Sequence, residues 1–300
     1  MRSYLLLSLA TGLTEAICHH GTNAFYRRAA EATFGYTNLQ GPLAWHALST
    51  ENELCAKGKT QSPISVTADN SSPVEGSTLN FDITNFPDGA ELENLGTTLE
   101  VAANGTISLN DKTYNLAQFH FHTPSEHRID DEYYPMEVHF VFQDDGKWSL
   151  ADRLGVKPAN CNTHIGHLNP LANVREITEE NLAVVGAMVE IAAMEVPSPF
   201  IASVFANLEK ATEAGSAAET APIDFEALKQ HIADTTVWQY QGSLTTPSCD
   251  EGVAWNVLER PIFVDATVYR KVKGVMKFNS RFTQNAPGEA NLLENACSTI

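Results

Sequence analysis

From residue 79 onward the chain is built from short runs that alternate apolar and polar side chains: LNFDITNF (79–86), LENLGTTLEV (92–101), TISLN (106–110), LAQFHFH (116–122) and MEVHFVFQ (136–143). Each run is closed by Gly, Asn, Asp or Pro, the residues that turn a chain. A strand sends successive side chains to opposite faces, so such runs fit only a sheet with two distinct faces. The connections are short, which predicts mainly antiparallel pairing. The apolar run LAVVGAMVEIAA (182–193) has the composition of a buried strand or a buried helix and is read as a central strand. Helical spacing appears at 199–211, 224–232 and 265–276, each opened by Pro or Asp. Residues 209–222, EKATEAGSAAETAP, are expected to be a surface linker between two of those helices. The expected fold is mainly β with peripheral helices, a single domain over 33–285 on a large, mostly antiparallel twisted central sheet, followed by a tail over 286–300.

The 300 residues, 43% of them hydrophobic, suffice for one large core. A formal net charge of −18 repels phosphate backbones and anionic bilayers, so neither nucleic acid nor a membrane surface is an expected partner. Residues 1–16 carry one Arg, an apolar run over 4–10 and small residues before Ala16, the layout of a secretory signal peptide. The run is too short to span a bilayer. A secreted, extracellular protein is expected, with acceptor sequons for glycans at Asn70 and Asn104. Five cysteines, Cys18, Cys55, Cys161, Cys249 and Cys297, allow one or two bridges in an oxidising compartment, and counting does not say which.

Within the alternating runs, Gln118, His120 and His122 share one strand face while Phe119 and Phe121 share the other. A lone His-x-His is as well explained by a half-buried strand. In the run 136–142, however, Glu137, His139 and Val141 also share a face, and residues 123–135 are long enough to bring the two strands side by side. His120, His122 and His139 would then converge, and three imidazoles with an open fourth position is the arrangement of a catalytic zinc site. Gln118 and Glu137 each stand two residues before a ligand, where an amide or carboxylate oxygen can take the second ring proton and orient the imidazole. The remaining histidines, including His164 and His167 in CNTHIGH (161–167), lack such supporters and are read as structural or solvated.

Taken together, these residues resemble the α-class carbonic anhydrases of the secreted type. The resemblance spans roughly 34–284 and rests on FGY and GP with Trp45, QSPI (61–64), QFHFH and SEH (118–127), MEVHFVF (136–142) and GSLTTPSC (242–249), in this order. It implies that His120, His122 and His139 hold Zn2+, with Gln118 and Glu137 as their acceptors. It implies that Thr245 with Glu126 orients the attacking hydroxide. Thr246, Val141, Val184, Leu244, Val253 and Trp255 would contact carbon dioxide or bicarbonate, and His127, Tyr240 and Asn279 would be structural hydrogen-bonding positions. It also implies a disulfide between Cys55 and Cys249. The expected activity is the reversible hydration of carbon dioxide, with ester hydrolysis as a side activity. The alternative, a catalytically silent binding module on the same fold, fits relatives that lack a histidine ligand, and all three are present here. Oligomeric state is not legible.

Two positions depart from the family pattern. Asn279-Ser280-Arg281-Phe282 stands where Asn-x-Arg-Pro is usual, and Thr97 occupies the position of a proton-shuttling histidine. Threonine does not ionise. Unaided release of a proton from a group of pKa ~7 is limited to the order of 10³ s⁻¹ by a recombination rate near ~10¹⁰ M⁻¹s⁻¹. Turnover should therefore depend on buffer unless another group substitutes, and Glu100 is the carboxylate considered.

Overall fold

The computed structural model describes residues 34–144 and 181–298. The leader with Cys18, and the segment holding Cys161, His164 and His167, lie outside the described residues. In chain order the strands are β1 (Ser65–Val66), β2 (Ser72–Glu75), β3 (Asp82–Ile83), β4 (Glu91–Asn94), β5 (Leu99–Ala102), β6 (Gly105–Leu109) and β7 (Lys112–His122). They continue with β8 (Arg128–Ile129), β9 (Met136–Asp144), β10 (Leu182–Ile191), β11 (Ala217–Glu219), β12 (Thr236–Ser243), β13 (Glu251–Leu258) and β14 (Ile262–Val264).

Among the described residues twelve strands form one sheet, whose main path runs β11-β4-β5-β7-β9-β10-β13-β12-β2. Pairing is antiparallel except where β10 runs parallel to β13 and β14, so the sheet is mixed but mostly antiparallel, as expected. The apolar run at 182–193 is the central strand β10, flanked by β9 and β13. β9 covers one edge and β13 with β14 the other, and packed layers cover both faces, which is why it reads as continuously apolar rather than alternating.

One face of the sheet carries the main core. Phe119, Phe121, Phe140 and Phe142 are fully buried there, with the Phe119 ring 5.5 Å from the tilted ring of Phe140 and 5.3 Å, edge-on, from Phe200 of the helix Pro199–Val204. Fully burying side chains of this size is worth roughly 2–3 kcal/mol each, so this face anchors the strands that carry the histidines. The opposite face of β7 and β9 is polar yet also covered: Gln118 is 7% exposed, and His122 and His139 are each 1% exposed.

Three readings of local structure need correction. The helix expected over 199–211 ends at Val204, and its continuation is a turn and a short 3-10 segment, Leu208–Lys210. The expected linker 209–222 contains β11, which pairs with β4 and forms one end of the main path; β4 offered an unpaired edge, and Ala218 is small enough to be buried against it. The run 79–86 forms a strand only at Asp82–Ile83, because residues 76–79 take a 3-10 turn. The other helices match closely, at Glu226–Ala233 and Ala266–Met276, the latter capped by Asp265, whose carboxylate accepts from Thr267 N at 2.7 Å. Residues Leu292–Ser298 form a further short helix, and Asn291 just before it donates to Gly58 O at 3.0 Å.

Candidate metal centre

The register of β7 and β9 decides the site. His120 pairs directly with His139 and His122 with Glu137, so three imidazoles gather on one face of two adjacent strands. Their rings lie 5.1 Å (His120 to His122), 5.3 Å (His120 to His139) and 4.6 Å (His122 to His139) apart. One ring nitrogen from each lies within 4.8 Å of the others.

The second nitrogen of each ring is tied to an oxygen that can only accept. His120 Nδ1 is 2.9 Å from Gln118 Oε1, His122 Nδ1 is 2.7 Å from the backbone oxygen of Asn279, and His139 Nε2 is 2.7 Å from Glu137 Oε1. Those nitrogens must carry the ring proton, which leaves His120 Nε2, His122 Nε2 and His139 Nδ1 as bare lone pairs. His122 Nε2 is buried with no protein partner. A buried acceptor without a donor is costly, and a cation bound by all three lone pairs removes that cost. The donor set is neutral, convergent and oriented, so it fits a zinc ion.

Glu137 is more than one histidine's acceptor. Its Oε1 also takes His127 Nδ1 at 2.8 Å, and its Oε2 accepts the backbone N–H groups of Glu126 (2.8 Å) and His127 (2.9 Å). His127 Nε2 accepts from the Tyr240 hydroxyl at 2.6 Å, and Tyr240 meets Ser62 Oγ at 2.7 Å. A chain of hydrogen bonds thus runs from His139 to the QSPI segment, all of it buried. Burial alone would raise the Glu137 carboxyl, but His127 and His139 outweigh it and hold it well below the usual range. Gly186 of β10 faces His139 in register, and a Cβ there would stand 3.0 Å from Glu137 Oε1, so a larger residue would press on the carboxylate and require it to shift by about a few tenths of an ångström.

Glu126 is fully buried, and its Oε1 accepts the backbone N–H of Arg281 at 2.8 Å. Burial pushes its carboxyl up to about 7, against the lowering pull of His139, Arg281 and the Thr245 hydroxyl. Thr245 lies close enough to act on this carboxyl, while Oε2 has no aligned donor. Thr245 sits just past β12, in the loop that Cys249 closes. The sulfurs of Cys55 and Cys249 are bonded, with Cα atoms 5.1 Å apart across a sequence separation of 194. Gln61 Nε2 also holds this loop, donating to Cys249 O at 3.0 Å.

In the sequence Arg281 stands only within a departing motif, and no local pattern marks its role. Its buried guanidinium donates to Ser62 O (2.7 Å), Gln61 Oε1 (2.9 Å) and Cys55 O (3.2 Å). It therefore pins the disulfide segment, the QSPI segment and Glu126 to one another, and the change to Phe282 leaves that hub intact. Nor does any pattern mark the backbone carbonyl of Asn279 as an acceptor for His122, since every residue type carries one.

The remaining site residues fall nearby. Val184, Val253 and Trp255 are buried in one apolar cluster, with Val141 and Leu244 packed against it; β10 lies between β9 and β13, so Val184 pairs with both Val141 and Trp255. Thr246 is half-buried in the Thr245 loop, where its carbonyl accepts from Cys249 N at 2.8 Å. Thr97 is half-buried in the turn between β4 and β5, its carbonyl accepting from Asn279 Nδ2 at 3.0 Å. Glu100 pairs with His120 from β5 and is 3% exposed.

Burial keeps all three imidazoles in the neutral, metal-binding form: His120 is held well below its ordinary value, His122 is lowered to about 4, and His139 is lowered despite Glu137. At pH 6 three ordinary imidazoles would together carry about two protons that a metal must displace. Here the cluster should release almost none, because a depressed pKa leaves the rings unprotonated down to the lower value. Glu126, at about 7, is protonated at pH 6, and a cation beside it should expel that proton. Calorimetry of zinc binding at pH 6, in buffers of different ionisation heat, should therefore give about one proton released for the wild type and close to none for Glu126→Gln. Two or more protons from Glu126→Gln would show the rings to be ordinary.

The chain matches the family model described as eukaryotic-type carbonic anhydrase over residues 40–158 and 152–296. It is 31% identical over 255 residues to a carbonic anhydrase of Neisseria gonorrhoeae, covering 84% of each chain. Its structure is similar to that of the fungal alpha carbonic anhydrase from Aspergillus oryzae, with a TM-score of 0.75 and 40% identity, over 90% of this chain and 100% of that one. It is also similar to the alpha carbonic anhydrase of Thermovibrio ammonificans in complex with the inhibitor sulfanilamide, with a TM-score of 0.64 and 27% identity, over 87% and 98% of the two chains.

Proposed function

Since the chain belongs to the eukaryotic-type carbonic anhydrase family, we propose that it binds one zinc ion at His120, His122 and His139 and there hydrates carbon dioxide reversibly to bicarbonate and a proton. The observation that carries the zinc assignment is the convergence of three bare imidazole nitrogens within 4.8 Å, each fixed by an acceptor on the far side of its ring. When bound, the ion supplies a Lewis acid that brings the ionisation of water to pKa ~7; carbonic anhydrase is itself the standard instance of that figure.

The protein's own groups supply the rest. Gln118, the Asn279 carbonyl and Glu137 hold the rings in one tautomer. Thr245, donating to the Glu126 carboxylate, is left with lone pairs only and so accepts from the attacking oxygen, aiming it. Val141, Val184, Leu244, Val253 and Trp255 form an apolar wall suited to a small apolar substrate, with Thr246 at its edge. Activated esters would meet the same nucleophile, as a side activity.

The Cys55–Cys249 bridge is stable only in an oxidising compartment, and with the leader-like residues 1–16 it supports export. Among the described residues no helix is long and apolar enough to cross a membrane. Protein purified without added metal should hold one zinc per chain by elemental analysis. Its carbon dioxide hydration should vanish on chelation and return with zinc. Undiminished hydration by chelated, zinc-free protein would refute the reading.

A further inference from the structure

Thr97 leaves the reaction's proton without a side chain to receive it, and the sheet register shows what stands nearby. Glu93 of β4 pairs directly with Glu100 of β5, Glu100 with His120 of β7, and His120 with His139 of β9. Residues paired in this way share a face, so Glu93, Glu100, His120 and His139 form a single row across four strands. With strands about 4.8 Å apart, Glu93 lies about 10 Å from His120, one whole strand away from the metal-binding histidines. Along this row Glu93 is half-buried, Glu100 is 3% exposed and His120 is half-buried, while Glu91, two residues before Glu93 on β4, is exposed.

Two acidic side chains placed opposite one another normally cost stability, and burying one without a partner costs more. Among the described residues no hydrogen-bond donor reaches the Glu100 carboxyl. The charged groups on the elements around Glu93 are Glu91 on its own strand, Glu100 on β5, Glu219 of β11 opposite Glu91, and Glu213 in the turn whose Gly215 N–H donates to Asn94 O. All are acidic. A fold that keeps this arrangement beside a site that must export protons calls for a functional account.

We propose that Glu93 is the acceptor that carries the reaction's proton out of the site, in place of a histidine at Thr97, with Glu100 lining the way. The proposal rests on the carbon dioxide hydration proposed above. In that reaction CO2 + H2O gives HCO3− + H+: the water's O–H bond breaks, its electron pair stays on the oxygen that bonds carbon, and the proton must leave. The Glu93 carboxylate takes that proton, becomes a neutral carboxyl, and passes it to a base in the medium. Burial, and then the neighbouring Glu91, raise the Glu93 carboxyl to about 7, which suits an acceptor working near neutral pH.

Stopped-flow hydration by the full chain in dilute buffer tests this. Glu93→Gln should lower kcat about tenfold, with recovery at high imidazole concentration and kcat/KM, which reports steps before proton release, changed less than about twofold. Glu93→His should keep the wild-type kcat. In metal-free protein, 13C NMR of the carboxyls should find Glu93 titrating near 7, a readout independent of turnover. Equal kcat for wild type and Glu93→Gln in dilute buffer, a loss that imidazole does not rescue, or a titration near the usual carboxylate range would each overturn the relay. A wild type without any hydration would overturn the underlying activity, and is distinguishable because the relay fails alone only when the wild type turns over.

Discussion

Replacing His139 with alanine should remove both bound zinc and carbon dioxide hydration. The effect should exceed the roughly 10- to 100-fold loss of affinity or activity typical when only a supporting hydrogen-bond partner of a ligand is changed. Glu137→Gln provides that comparison within the same chain. The fold should survive the His139 change, because Glu137 keeps His127 Nδ1 and two backbone N–H donors after losing the His139 ring. Circular dichroism and elemental analysis on the same sample separate loss of metal from loss of fold. A His139→Ala protein that retained zinc and full activity would rule out the assignment of the site.

Removing the Cys55–Cys249 bridge should have the largest effect on stability. A crosslink at a sequence separation of 194 restricts the unfolded chain strongly, by about 4–5 kcal/mol in the chain-entropy treatment, an upper figure. In a domain of this size that corresponds to a fall in Tm of roughly 10–20 °C. Cys249→Ser should show it in a thermal melt, and alkylation without reductant should leave both cysteines of the wild type unlabelled. Activity at low temperature should fall less than stability. The loop carrying Thr245 is also held by Gln61 on Cys249 O and by Leu244 N on Asp250 O, and Arg281 holds the Cys55 end. A melt unchanged by Cys249→Ser would show that the bridge adds nothing to the fold.

The alternating runs, by themselves, determined that this chain makes a sheet with one oily face, because a period of two is a local property of the backbone. They likewise placed His120, His122, Gln118 and Glu137 on predictable faces of their own strands. The three proposed ligands and two of their acceptors were therefore legible, and the order of motifs from Trp45 to Cys249 pointed to the family. What local pattern does not contain is which strands become neighbours and in what register. That His120 meets His139, that Glu93 and Glu100 extend the same row, and that β11 completes the edge beside β4 are all consequences of pairing between segments distant in sequence. The same holds for acceptors that are backbone rather than side chain, as with Asn279 O on His122, and for the Arg281 guanidinium, whose partners are mostly main-chain carbonyls brought together by the closed fold. Burial settled the ionisation of the site as well. A histidine or a glutamate in a sequence carries its ordinary pKa, and only the exclusion of water around the assembled sheet moves His122 down to about 4 and Glu93 up to about 7.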